Sequence, residues 1–391
     1  MQSQPSRFFL ATTLVVGLAI GAAGAAVALS GANRRDAAPA NAAADRSAIE
    51  RLLADRAVSP TGTTKRFELT VKEAAWELLP GVTTRAITFN GTVPGPTIRV
   101  TEGDTVEIAV TNGLTEGTSV HWHGLHVPNA MDGVAGVTQD AIAPGQTFTY
   151  RFVAPHAGTF MYHSHGPNSR EQIDRGLYAP FIIDPADGDP IRADREVVLA
   201  LQGWMVGAST GGAGGAASMP GMDSMSMNYD YFTINGKSFP ATAPIEVEQG
   251  QLVRLRFINP SQTIHPMHLH GMDMAVIAKD GEPLVQPQRV NTVDILPGDT
   301  FDVVFNADNP GTWLLHCHDL HHASNAGVEP GGLIVTITVK PRASQSSSPS
   351  GAATSPAVSA EPSAMPGATM TPIATVVPAM PGMTSMPGMT P

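Results

Sequence analysis

Thirteen histidines and a single cysteine are the residues of this 391-residue chain whose types and spacing suit metal chemistry. Eight histidines fall into four His-x-His pairs: His121/His123, His163/His165, His268/His270 and His316/His318. On a β-strand, residues i and i+2 share a face, so each pair aims two imidazoles in one direction. The residues between them, Trp122, Ser164, Leu269 and Cys317, face the other way. A lone buried histidine is commonly a hydrogen-bonded core residue, but four pairs in register are not explained that way. Eight imidazoles are therefore expected to serve one metal cluster. His265 lies three residues before His268 and so faces opposite to that pair, on the side where Cys317 points. His322 follows five residues after Cys317, past the expected strand end. Cys317, His265 and His322 make a His₂Cys set, the trigonal donor arrangement of a blue-copper electron-transfer site. Zinc competes for such ligands, but a tetrahedral zinc site leaves eight further imidazoles without a purpose. In His316-Cys317-His318 the thiolate would hold one metal while both neighbours reach the cluster on the opposite face. An electron leaving the first metal then passes through Cys317 and its backbone.

The elements that position these residues come from an internal duplication. Ile98 to Ile108 and Asn112 match Ile245 to Leu255 and Asn259, and nine residues past each Asn a His-x-His begins. Pro144-Gly145 and Pro297-Gly298 follow, and then GTFMYHSH (158–165) or GTWLLHCH (311–318). The runs VEIAV, FTYRF, LVRLRF and FDVVF alternate apolar and polar residues, as half-buried strands do. Two copies of a many-stranded unit predict an all-β chain of two packed sandwiches. Ser164 stands where the second copy has Cys317, so the first unit supplies cluster ligands but cannot build a blue site.

Composition agrees. Charged residues are only 15% and aromatics 6%, while Gly (39) and Pro (33) are plentiful, which suits short strands and turns. A net charge of -11 without a Lys/Arg run argues against nucleic acid as a partner. Residues 8–29 carry no charge and follow Arg7, so 1–30 read as an export signal or membrane anchor. The Ala-rich stretch 31–62 reads as a linker, and 341–391, Ser/Pro/Ala/Thr/Met with almost no charge, as a disordered tail. The folded units are expected over 63–187 and 188–340.

HWHG, HSH, HPMHLHG and HCH, in this order, resemble the multicopper oxidases, and the likeness covers about 65–340. HWHGLHVPNAMDGVAGVTQ is similar to the laccase and copper-tolerance branch. The absence of a middle domain resembles the two-domain subclass with its blue copper in the second domain. That resemblance implies two cupredoxin-like Greek-key sandwiches and about four coppers per chain. It implies that His121 and His268 bind the type 2 copper. His123, His163 and His318 would bind one type 3 copper, and His165, His270 and His316 the other. Cys317, His265 and His322 would hold the type 1 copper. It further implies O2 as electron acceptor, a small reducing substrate, and a homotrimer whose clusters are shared between neighbouring chains. Aligning Gly176-Leu177 with Gly332-Leu333 makes Leu333 the axial candidate, with Val328 in reserve; a non-coordinating Leu favours a higher potential than a thioether. Where bacterial relatives often carry a Glu after the second type 1 histidine, this chain has Ala323. Asp132 matches another acidic residue of the family, near the type 2 copper, and is left to carry the proton work.

Ten of the 17 methionines lie in SMPGMDSMSM (218–227) and in the tail from Met365 to Met389. Thioethers are soft ligands that favour Cu(I), so these runs are candidates for copper handling. Met272 and Met274 are expected to pack near the type 1 region. Laccase-like oxidation of phenols is the leading reading, and a cuprous oxidase conferring copper tolerance is its nearest rival. A copper nitrite reductase would want a type 1 Cys in the first unit. A non-enzymatic copper or electron-transfer module leaves the paired histidines of the first unit unexplained.

Overall fold

The strand Thr105–Asn112 (β4) is buried at every second residue, which is the signature of a strand with one face in the core. Seven other strands and one short helix belong to the same half of the chain. They are β1 (Thr64–Leu79), β2 (Val82–Phe89), β3 (Ile98–Thr101), β5 (Val120–His123), β6 (Thr147–Val153), β7 (Gly158–Ser164), α1 (Ser169–Asp174) and β8 (Tyr178–Asp184). The second half holds β9 (Arg195–Trp204), β10 (Tyr231–Ile234), β11 (Ile245–Glu248), β12 (Leu252–Ile258), β13 (His265–Leu269) and β14 (Met274–Lys279). It continues with β15 (Glu282–Val290), β16 (Thr292–Ile295), β17 (Thr300–Asn306), β18 (Gly311–Cys317) and β19 (Ile334–Lys340). The computed structural model describes residues 58–206 and 229–342, with Arg46, Ile49 and Glu50 before them. The expected leader at 1–30, most of the linker, the Met-rich run 218–227 and all but the start of the tail lie outside the described residues. Among the described residues no helix is long and apolar enough to cross a membrane.

Each half is a pair of sheets. The first has β2-β1-β4-β6 facing β3-β8-β7-β5; the second has β10-β9-β12-β17-β14-β15 facing β11-β19-β18-β13-β16. The duplication is visible in the strand order: β3-β8-β7-β5 and β11-β19-β18-β13 are the same arrangement. Each half closes over its own apolar core, one around Trp122, Tyr150, Phe160 and Phe181, the other around Phe257, Phe305, Leu315 and Cys317. A third cluster, including Leu78, Met161, Tyr178, Trp204 and Ile258, joins the halves.

The paired asparagines of the repeat perform one task twice. Asn112 Nδ2 donates to the carbonyls of Glu116 and Ile142, and Asn259 Nδ2 to those of Thr263 and Ile295. Their carbonyl oxygens accept from Leu114 N and Ser261 N respectively. Each carboxamide thereby satisfies buried backbone groups in the loop that leads into a His-x-His strand.

Candidate metal centre

Register brings the histidines together. Across β5 and β7, His121 lies opposite His163; across β13 and β18, His268 lies opposite His316. The intervening Trp122, Ser164, Leu269 and Cys317 are buried, while the four paired positions on these strands are half-exposed. A one-residue slip would turn Trp122 and Leu269 to solvent, at about 1.5–3 kcal/mol for each large apolar side chain. Packing of the core face therefore decides which way the imidazoles point.

In the first half, ligand nitrogens of His121, His123 and His163 all lie within 4.8 Å of one another. His123 Nδ1 faces His163 Nε2 across 3.2 Å. The His165 ring centroid is 5.5 Å from that of His121. His121 donates from Nδ1 to the Asp132 carbonyl at 2.8 Å, and His163 from Nδ1 to the Ser164 carbonyl at 2.9 Å. Both bonds select the tautomer that leaves Nε2 with a free lone pair. Asp132 sits in a tight turn next to Gly133, whose φ is +84°. A Cβ at Gly133 would meet the Val120 carbonyl oxygen at 1.8 Å, so glycine is required to bring the turn against β5. The Asp132 carboxylate itself reaches within 3.4 Å of His121 Nδ1.

In the second half, His270 Nε2 and His316 Nε2 are 3.0 Å apart, and His268 and His318 have ring centroids 5.7 Å apart. His268 Nδ1 donates to the Asn291 carbonyl at 2.8 Å, with Thr292 Oγ1 at 3.1 Å. His316 Nδ1 donates to the Cys317 carbonyl at 2.8 Å. His268 and His270 open on a surface cleft of about 380 Å³ that Asn291 and Trp313 also line. Among the described residues no ring contact joins the first histidine quartet to the second.

Behind the second quartet lies the buried trio. Donor atoms of His265, Cys317 and His322 fall within 4.8 Å of one another. His265 Nδ1 is 3.2 Å from His322 Nδ1, and Cys317 Sγ is 3.6 Å from His322 Nδ1. Ser261 Oγ sits 2.8 Å from His265 Nε2 and turns the other nitrogen toward the sulfur. The Phe232 ring covers His322 at 4.2 Å. Leu333 is fully buried and packs in the same core as Cys317, whereas Val328 is 68% exposed. Backbone bonds hold Leu333 between the ligands: Cys317 N donates to the Leu333 carbonyl, and Leu333 N to the His322 carbonyl. Gly332, at φ +62°, permits this, because a Cβ there would stand 2.0 Å from the His322 carbonyl oxygen. Ala323 is buried, and Met272 and Met274 pack in the core that holds Cys317.

Burial keeps these imidazoles neutral, with lone pairs available: it lowers His163 to about 3, His322 to about 4, and His265 well below the usual histidine range. Burial likewise lowers His123, His270 and His316. The same burial pushes the Cys317 thiol up to about 12. A buried thiol between two neutral imidazoles is a poor place for a proton-exchanging group and a good one for a soft cation that displaces the proton. The donor chemistry of the trio and of both quartets thus fits copper. Sequence reasoning did not reach Phe232, Ser261, Asn291 or the helix α1, because none belongs to a repeated pattern of ligand residues.

A two-half cupredoxin-like β protein with a buried His₂Cys trio and two half-exposed histidine quartets is a copper protein by its architecture and donors. The comparisons agree. Residues 70–188 and 216–329 each match a family model described as multicopper oxidase. The fold resembles that of the blue copper oxidase from Nitrosomonas europaea, with a TM-score of 0.64 and 38% identity over 71% of this chain and 86% of that one. The chain is 32% identical to the multicopper oxidase MmcO of Mycobacterium tuberculosis over 77% of its length, and 36% identical to Laccase-2 of Botryotinia fuckeliana over 68%. It spans 61% of the former and 48% of the latter. The chain belongs to the multicopper oxidase family.

Proposed function

We propose that this protein is an exported, laccase-like multicopper oxidase that takes single electrons from phenols or similar small donors and passes them to O2. The observation that carries the reading is the back-to-back placement of Cys317 in the buried trio and of His316 and His318 in the half-exposed quartet. Cys317, His265 and His322 would hold the type 1 copper, with Leu333 rather than the exposed Val328 in the axial place. His121 and His268 would hold the type 2 copper; His123, His163 and His318 one type 3 copper; and His165, His270 and His316 the other. When bound, these coppers supply one-electron acceptance at the type 1 site and four-electron reduction of O2 to water at the cluster. The chain's own residues orient the donors: the Asp132, Ser164, Asn291 and Cys317 carbonyls fix four imidazole tautomers. Asp132, beside His121, is the carboxylate placed to deliver protons toward the cluster, and Ala323 offers none.

Among the described residues no ring contact joins the two quartets, and clusters shared between neighbouring chains in a homotrimer, as the family resemblance implies, would bring them together. About four coppers per chain and division into units at 63–187 and 188–340 complete the reading. The charge-free run at 8–29 supports export, with cleavage or anchoring as its two outcomes. The Met-rich runs favour a second reading, a cuprous oxidase that protects against copper. Oxygen uptake with phenols and with Cu(I), on the full chain and after deletion of 218–227 and the tail, separates the two. One copper per chain without oxygen uptake would defeat both and leave an electron-transfer module.

A further inference from the structure

In the first half, the place that corresponds to the type 1 metal is filled by a carboxamide. Thr118 precedes His121 by three residues as His265 precedes His268, and Ser164 stands between His163 and His165 as Cys317 stands between His316 and His318. The backbones match as well: Ser164 N donates to the Leu177 carbonyl at 3.2 Å, and Cys317 N to the Leu333 carbonyl at 3.0 Å. Into this position α1 inserts Gln172, which is fully buried. Gln172 Oε1 accepts from Thr118 Oγ1 at 2.8 Å and from Ser164 Oγ at 2.5 Å. Its Nε2 donates to Glu116 Oε1 at 2.8 Å and to the Gly117 carbonyl at 3.2 Å. Both lone pairs and both protons of the amide are used, which also fixes its orientation.

We propose that Gln172 is a positioning residue of the oxygen-reducing centre, holding β5 and β7 in the first half as the type 1 metal holds β13 and β18 in the second. This rests on the oxidase reading above. The physical reason is where the bonds land. Thr118 leads into the strand of His121 and His123, and Ser164 is flanked by His163 and His165. A single buried acceptor clamps both segments, so all four first-half ligands move if it is lost. No residue of the clamp is among the proposed copper ligands. Its loss is felt through ligand geometry, as for other partners that orient metal-binding histidines, whose removal costs about 10–100-fold in metal affinity.

The test compares the parent full chain with Ser164→Ala, Thr118→Val and Gln172→Leu, each loaded with copper and challenged with a graded chelator. The expected result is an unchanged blue thiolate band per chain. Copper held by the histidine clusters is released at about 10- to 100-fold lower chelator concentration, and the type 2 EPR splitting is altered. A merely structural role would lower the melting temperature of the copper-free chain without changing that splitting. If Gln172→Leu does not fold, Ser164→Ala and Thr118→Val, which remove one hydroxyl each, decide the matter. Retention and EPR identical to the parent in those two overturn the role of Gln172 while leaving the oxidase reading intact. A parent chain that shows no thiolate band and no cluster copper overturns both.

Discussion

The Nδ1–H of His316 donates to the backbone carbonyl of Cys317 at 2.8 Å, so a ligand of one candidate centre is bonded to the residue that anchors the other. Its counterpart, His163 to the Ser164 carbonyl, has the same geometry at 2.9 Å but no thiol behind it. Only the second half offers a continuous path from a thiolate into a histidine cluster.

Cys317→Ser therefore separates the two centres. The blue band should vanish, and donor-driven oxygen uptake should fall by more than the roughly 10–100-fold that loss of an orienting partner costs. Copper at the histidine quartets should persist, read as a retained type 2 EPR signal. Retention of uptake would break the proposed electron route.

Asp132→Asn tests proton delivery. The His121 contact runs through the Asp132 backbone carbonyl, so ligand orientation survives the substitution while the carboxylate is lost. Anaerobic bleaching of the blue band by substrate should keep its rate. Reoxidation by O2 should slow by about 100-fold, the ordinary scale of a positioned proton-transfer group.

Much of this site is legible in the sequence because its information is local. Strand parity assigns Trp122 and Cys317 to one face and the His-x-His pairs to the other, and β-sheet geometry then leaves no freedom. The duplication shows that the two halves place their pairs equivalently, and the structure adds the register, His121 against His163 and His268 against His316. What is not legible depends on distant closure. Gln172 sits on a six-residue helix too short to show an apolar period, and Phe232 reaches His322 from a strand about ninety residues earlier in the chain. How the two quartets stand relative to each other depends on how the halves pack, which no spacing records.

The proposed sharing of clusters between chains makes complementation a decisive measurement. A chain carrying His163→Ala and a chain carrying His316→Ala should each be inactive alone. Co-expressed, they should regain activity, because a neighbour supplies the missing quartet; random mixing restores about a quarter of the clusters in a closed ring. Sedimentation should show a trimer in the active fraction. Absence of recovery in mixed oligomers would place the cluster within single chains.

Leu333→Met addresses the potential. Leu333 is buried between the backbones of Cys317 and His322, so a thioether there can approach the trio without exposing it. The type 1 potential should fall, read by redox titration of the blue band, and oxidation of the least reducing phenols should slow first. Val328→Met, at an exposed position, should leave the potential unchanged.

The last prediction concerns the joint between the halves. Arg256 Nη1 donates to Thr159 Oγ1 at 2.6 Å and to Asp302 Oδ2 at 2.7 Å, while its Nη2 lies 2.7 Å from Glu196 Oε2. Thr159 belongs to β7, the strand of His163, whereas Arg256 and Asp302 belong to the second half. Burial raises the Asp302 carboxyl even with Arg256 beside it. Desolvation thus opposes the attraction, as it does for buried ion pairs generally. Removing one partner is a different matter, because it strands a buried charge. Asp302→Ala should cost about 3–5 kcal/mol in denaturant unfolding. The double variant Arg256→Met/Asp302→Leu should recover part of that loss, since it removes both buried charges and keeps the volume while Glu196 retains Arg99 as a partner. If the joint also sets the distance between quartets, the double variant should load copper more weakly than the parent despite its stability. Equal loading would assign the network to specificity of packing alone.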